Sequence, residues 1–362
     1  MKILFFITSL DVGGAERQVL DLAQRLESQD HQVLIAYLTG AGILLPKDTS
    51  LKTVGFHTAK SLRSLVRSFF LLRKTIKSYK PDVVHSHMVH ANLLARLVRL
   101  VVFIPRLICT AHSTNEGGGI RMLAYRVTNF LADVTTNVSL DAVKEFEVKK
   151  AVKPGKMLMM PNGIDTARFS FSESLRTKIR DREGVRAGEK IILAVGRFTE
   201  AKNYPSLLQA FASLCRSDPD LILWIVGDGA LRESLLTLSD KLGISQRVKL
   251  FGVREDVAEF YSAADVYALS SLWEGFGLVV AEAMAAERVV VASDCGGVRE
   301  VVGSEGLLVP PGNSDELAIA IRHALDMDLA SAAAMGRRAR QRVLDKYSLD
   351  TVVKKWVELY RS

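Results

Sequence analysis

The chain has 362 residues, 48% of them apolar and 24% charged, with 48 Lys and Arg against 40 Asp and Glu for a net charge of +8. That length favours two domains, and the composition excludes a disordered or collagen-like chain. The three cysteines, Cys109, Cys215 and Cys295, have no metal-ligand spacing and exclude a disulfide scaffold; reduced thiols in the cytoplasm account for them best.

The charge is unevenly placed. Residues 1–165 carry 22 basic and 13 acidic residues, a net of +9, and the remainder 26 and 27, a net of −1. An anionic partner is therefore expected for the first half, either nucleic acid or a membrane surface.

In chain order, Lys2–Thr8 reads as the first strand, because its apolar run is too short for a signal-peptide core and lacks a cleavage site. Gly13-Gly14-Ala15-Glu16-Arg17 follows, and then Val19, Leu22, Ala23 and Leu26 recur at helical spacing. A strand, a glycine turn and a helix start can bring a phosphate to backbone N–H groups. Val33–Leu38 is the second strand. From Lys60 to Lys80 there are seven basic residues and no acid. At about 100° per residue, Arg63, Arg67, Lys74 and Lys77 share one helix face, with Leu62, Leu65, Phe69, Leu72 and Ile76 opposite. Either a solvated face over a packed helix or a membrane-facing helix fits, and the absence of acids favours lipid.

Pro81–Met88 reads as a strand ending in a polar tip, placing His87 where open α/β sheets bind ligands; His85 is expected to point into the opposite face. Arg106–Thr110 is the next strand, followed by Ala111-His112-Ser113-Thr114-Asn115. Gly117-Gly118-Gly119 is expected to form a mobile loop, with a helix from Met122 to Leu131. The run from Leu97 to Ala111 is interrupted by Arg99, Pro105 and Arg106, so no membrane span is expected. Pro161-Asn162-Gly163 is a turn, and the domain boundary is placed between Asp165 and Glu189, where periodicity weakens.

In the second half Ile191–Gly196 is a strand, and the basic loop Arg197–Asn203 at its end suits a diphosphate. Leu221–Val226 closes on Gly227-Asp228-Gly229, and Val248–Phe251 on Gly252-Val253, whose backbone can bond a nucleobase. Asp265–Leu269 then leads into Glu274-Gly275-Phe276-Gly277-Leu278, and Glu282 falls in the early turns of the next helix. A carboxylate there can accept hydrogen bonds from ribose hydroxyls, and Glu274 in the loop could then face the sugar beyond the phosphates. Cys295-Gly296-Gly297-Val298-Arg299-Glu300 repeats the turn design after strand Val289–Ala292. Neither Asp218-Pro219-Asp220 nor Asp326-Met327-Asp328 lies at a strand's carboxyl end, so no metal site is expected. The alternation of strands and helices predicts α/β architecture with two doubly wound sheets.

The two glutamates with seven residues between them, their glycines and the Gly-Gly-Val-Arg-Glu turn resemble the retaining nucleotide-sugar glycosyltransferases of family four. The resemblance covers essentially the whole chain. It implies a GT-B fold: two Rossmann-like domains facing across a cleft, with residues 1–165 on the acceptor side, 166–345 on the donor side, and 346–362 crossing back. It implies His112 and Glu274 as catalytic groups, with Gly14, Arg197, Lys202, Phe276, Gly277 and Leu278 at the donor diphosphate. Gly252, Val253 and Glu282 would meet the nucleoside, and His87 the acceptor side. The implied activity moves a hexose or N-acetylhexosamine from a nucleotide diphosphate sugar, UDP-linked by expectation, to a glycan or polyprenyl-diphosphate-linked acceptor in surface polysaccharide or glycolipid synthesis. No cofactor and no metal are expected, and the enzyme is expected at the inner face of the membrane with Arg63, Arg67, Lys74 and Lys77 towards lipid. Two rivals are a nucleotide-sugar isomerase of the hydrolysing-epimerase type and a nucleic-acid binder, the latter lacking aromatic platforms among its basic residues.

Overall fold

The computed structural model describes residues 1–11, 13–40, 42, 51–114 and 116–362. Asn115, part of the stretch after His112, lies outside them. The chain divides into two compact units, Met1–Gly163 with Leu349–Ser362, and Ile164–Ser348.

The first unit begins β1 (Lys2–Ser9), α1 (Gly14–Glu27), β2 (Gln32–Thr39), β3 (Lys52–Gly55), α2 (Leu62–Tyr79) and β4 (Val83–His87). It continues α3 (Val89–Arg99), β5 (Arg106–Ala111), α4 (Gly118–Thr128), β6 (Val134–Asn137), α5 (Leu140–Val148) and β7 (Leu158–Met159). The sheet order is β3-β2-β1-β4-β5-β6-β7, with every pairing parallel. Strands buried on both faces read as continuous apolar runs, and Ile3–Ile7 of β1 is entirely buried.

The second unit runs α6 (Glu173–Arg182), β8 (Lys190–Val195), α7 (Tyr204–Cys215), β9 (Leu221–Val226), α8 (Arg232–Lys241), β10 (Val248–Leu250) and α9 (Val257–Ala263). Then come β11 (Val266–Leu269), α10 (Leu278–Ala285), β12 (Val289–Ser293), α11 (Val298–Val302), β13 (Leu307–Val309), α12 (Ser314–Leu325) and α13 (Leu329–Tyr347). Its sheet is also parallel, in the order β10-β9-β8-β11-β12-β13. The last helix, α14 (Leu349–Arg361), belongs to the first unit, where Val352, Val353, Trp356 and Tyr360 pack with Val19, Leu22 and Leu26 of α1.

Three sequence expectations need correction. Gly118 and Gly119 open α4 rather than forming a loop, and the turn into the helix is made by Gly117 and Gly118, at φ +98° and +71°. Leu62 and Leu65 do not pack inwards: only Ser68, Leu72 and Ile76 of α2 are buried, so its first two turns project past the core. The segment of weak periodicity after Asp165 contains α6. Its Arg176 and Arg180 grip the two carboxylate oxygens of Asp265, which also takes the N–H of Ile191 and so ties α6 to the start of β8 and β11. The units meet their chain crossings at 163/164 and 348/349, against the expected 165/166 and 345/346.

Candidate active site

Both sheets reverse strand order at one point, beside β1 in the first unit and beside β8 in the second. Crevices at the carboxyl ends of such strands are where ligands bind in open α/β sheets. The expected site residues fall into two groups at those places, one in each unit.

In the second unit, β8 ends at Gly196, whose φ of +154° lets the chain turn with Lys202 and Tyr204 packed close. Lys202 Nζ lies 2.6 Å from Glu274 Oε1, and Ser271 Oγ donates to the same oxygen at 2.8 Å. Two further bonds join these loops: Leu272 N–H to the Ala201 carbonyl and Ser270 Oγ to the Lys202 carbonyl. Lys202 and Glu274 are thus brought together, both mostly buried, while Arg197 is exposed on the same loop. Glu274 is held from behind by the second glycine turn. A Cβ at Gly296, itself at φ +53°, would stand 1.9 Å from the Glu274 carbonyl oxygen. Only glycine permits that approach.

Gly277, at φ +89°, caps α10. The Val280 and Ala281 amides turn back to its carbonyl, whereas among the described residues no backbone acceptor takes those of Leu278 and Val279. Those amides sit at the positive end of the helix. Phe276 is buried against Tyr347, with ring centroids 5.4 Å apart, so its backbone alone can meet a ligand. Glu282 accepts a 2.8 Å hydrogen bond from Tyr261, which is buried and whose hydroxyl pKa burial and the nearby Glu282 charge push up. Gly252, at φ +70°, accepts from Gly227 N–H at 2.8 Å, and Val253 beside it is exposed.

In the first unit, β1, β4 and β5 are adjacent, and Gly14, His87 and His112 stand at their carboxyl ends. Gly14 is the exposed first residue of α1. His87 Nδ1 and His112 Nε2 are 3.0 Å apart. His85 does not take the opposite face: residues two apart on a strand share one side, and its ring lies 4.0 Å from that of His87. It bonds Tyr360 of α14 through Nδ1 and Thr110 through Nε2. Burial lowers all three imidazole pKa values, that of His112 to about 4. Arg63, Arg67, Lys74 and Lys77 are all exposed on α2, remote in the chain from either group.

Sequence reasoning missed three supports. Glu116 accepts the His112 N–H at 3.0 Å and the Tyr125 hydroxyl at 2.6 Å, and burial raises its pKa. Tyr261 holds Glu282, and Ser271 holds Glu274. Only Ser271 had a sequence signal, its place three residues before the loop glutamate. Among the described residues no cluster of His, Cys, Asp or Glu is arranged to hold a metal.

Comparison with known proteins agrees with this division. Residues 12–168 match the model of Glycosyltransferase Family 4, and residues 176–342 that of Glycosyl transferases group 1. EpsD of Bacillus subtilis strain 168, named provisionally as a glycosyltransferase, is 32% identical over 259 residues, 68% of either chain. A Campylobacter jejuni alpha-1,4-N-acetyl-D-galactosaminyltransferase, named for an acceptor on PP-undecaprenol, is 28% identical and covers 99% of this chain and 98% of its own. The crystal structure of Anabaena Alr3699/HepE in complex with UDP superposes with a TM-score of 0.88 at 24% identity, over 99% of each chain. With two parallel sheets that each reverse strand order once, and with these family matches and relatives, the chain belongs to the GT-B glycosyltransferases of the family 4 type.

Proposed function

We propose that this glycosyltransferase moves a sugar from a UDP-sugar to a polyprenyl-diphosphate-linked glycan with retention at the anomeric carbon, without a metal, at the inner face of a membrane. The observation that carries the reading is the Lys202–Glu274 pair beside the open amides of Leu278 and Val279. Lys202, Arg197 and those amides are suited to the donor diphosphate, and they meet the charge that develops on it as the sugar leaves. Among the described residues only Oε1 of Glu274 is engaged, which leaves Oε2 for a sugar hydroxyl. Glu282, held by Tyr261, would accept from the ribose.

In the front-face route, the bond from the anomeric carbon to the leaving phosphate oxygen breaks. The bond to the acceptor oxygen forms on the same face, and the acceptor's proton passes to that phosphate oxygen. Cations already answer the diphosphate charge, so the chemistry asks for no metal.

The UDP in the Anabaena complex and the acceptor named for the Campylobacter enzyme support the substrate classes. The membrane reading is supported by α2, where Leu62, Val66 and Phe70 form an exposed apolar stripe at spacing four, flanked by Arg63, Arg67, Lys74 and Lys77. Each such cation near an anionic surface contributes about 1 kcal/mol. The exposed face of α4 and the turn after it, carrying Ile120, Leu123, Val127 and Phe130, adds apolar area. No helix among the described residues is long and apolar enough to span a membrane.

The test is incubation of the protein with labelled nucleotide sugars and a bacterial lipid extract in EDTA. The expected result is label in the lipid fraction with release of UDP, and an anomeric configuration unchanged by NMR. An isomerised donor without transfer would refute the reading. Loss of activity in EDTA, restored by manganese or magnesium, would refute the phosphate assignment.

A further inference from the structure

His87 and His112 are bonded to each other, and among the described residues neither His87 Nε2 nor His112 Nδ1 has a partner although both atoms are buried. Burial keeps both rings neutral at pH 7. A neutral imidazole carries one N–H and one bare nitrogen. Their shared bond takes the N–H of one ring and the lone pair of the other, so the two outer nitrogens must differ: one is bare and one carries hydrogen. His85 does not disturb this count, since Tyr360 and Thr110 occupy both its nitrogens. Glu116 does not either, because its oxygens take the His112 backbone N–H and the Tyr125 hydroxyl.

Which nitrogen holds the proton follows from the surroundings. His87 is 1% exposed, its ring packed against those of His85 at 4.0 Å and Phe5 at 5.6 Å. An orphaned buried N–H is rarer than an under-used acceptor, so Nε2 of His87 is the bare atom and Nδ1–H donates. His112 is less buried, one residue past β5. It then accepts at Nε2 and carries its proton on Nδ1.

We propose that His87 is a positioning residue that fixes the tautomer of His112, so that His112 offers a neutral Nδ1–H to a sugar oxygen. This rests on the proposed function and on the catalytic role that the family resemblance implies for His112, which here is taken to face the transferred or accepting sugar. A neutral donor suits a hydroxyl or acetamido oxygen; it supplies no cation for a phosphate. The role deepens the acceptor-side reading of His87, which acts through His112 and need not touch substrate.

The tautomer is read by ¹⁵N–¹H correlation NMR on histidine-labelled unliganded protein at pH 7.5, with His112→Gln used to assign the signal. The wild type is expected to show His112 protonated at Nδ1 alone. His87→Phe keeps the ring contacts and removes the bond; a mixed His112 tautomer and a five- to tenfold lower kcat/KM are expected, about one neutral hydrogen bond. His87→Asn, which restores an N–H donor, should recover both. A wild-type His112 protonated at Nε2, or a tautomer unchanged in His87→Phe, overturns the proposal. A shifted tautomer with unchanged kcat/KM also overturns the role in transfer. Because the NMR needs no turnover, it decides the tautomer even if the transfer assay refutes the proposed function.

Discussion

The two half-sites solve recognition in opposite ways. The second unit presents charge: Lys202 and Glu274 are paired at 2.6 Å, Arg197 is exposed, and amides open at the start of α10. At the corresponding strand ends of the first unit the rings of His85, His87 and His112 lie together, held neutral by burial, and the Glu116 carboxylate beside them is engaged by the His112 N–H and the Tyr125 hydroxyl. A diphosphate needs opposite charge, and a sugar needs directional neutral partners. Under the proposed function, the contrast assigns electrostatics to the donor half and hydrogen-bond polarity to the acceptor half.

The largest expected effect tests the donor half. Glu274→Ala should lower kcat by about 10²-fold or more if its carboxylate acts as charge develops. Glu282→Ala should mainly raise the donor KM, because ribose is held alike before and during transfer. Small and equal effects in steady-state kinetics would erase the distinction. Next comes Gly296→Ala, which thrusts a methyl into the Glu274 carbonyl. A loss of roughly 1–3 kcal/mol is expected from overpacking, with a fall in kcat approaching that of Glu274→Ala; unfolding midpoints and kinetics on one sample check both.

The third prediction separates the units by acid. An unfolded histidine titrates near 6.5, and five of the first unit's, His31, His85, His87, His90 and His112, titrate lower when folded. Below pH 6.5 the unfolded chain therefore binds more protons, and stability falls as pH drops towards about 4 for His112. A tenfold difference in proton affinity between the folded and unfolded chain amounts to about 1.4 kcal/mol. Glu116, raised by burial, acts in the opposite sense nearer its own range, so the window is best read above pH 5. Amide protection factors in β4 and β5 should drop between pH 7 and 5 while those in β8 and β11 hold. Equal loss in both sheets would break the comparison. The smallest effect on turnover comes from Arg63, Arg67, Lys74 and Lys77 changed together to Ser. Sedimentation with anionic vesicles should vanish at low salt, and transfer to a short soluble acceptor should stay within about twofold, since surface charges are screened over a Debye length.

Much of the donor half was legible in the sequence because its chemistry is local. Glu274, Gly277 and Glu282 stand within nine residues, and glycine at a strand-to-helix turn has one plain physical meaning. The acceptor half was less legible. His85, Thr110 and Tyr360 meet only after folding, across 275 residues in the case of His85 and Tyr360. Tyr261 gave no hint of Glu282, 21 residues on, since a tyrosine in a short helix is usually core. The alternation rule does put His85 and His87 on one face, and applying it strictly would have found their stack. Exposure of Leu62 and Leu65 was hidden because periodicity reports a face and not how far the core beneath extends.

The return of α14 has a consequence for how the molecule is made. During synthesis from the N-terminus, β1 to β7 emerge first, yet Trp356 and Tyr360, which cover His85 and pack beside α1, are translated only after the whole second unit. The second unit, Ile164–Ser348, is contiguous and closes on itself where Ile164 N–H meets the Tyr347 carbonyl at 2.7 Å. Its contacts are therefore complete within one continuous run of chain, whereas the first unit waits for its last helix with the apolar flank of α1 uncovered. The vectorial order of translation thus leaves the part of the polypeptide made first dependent on the part made last.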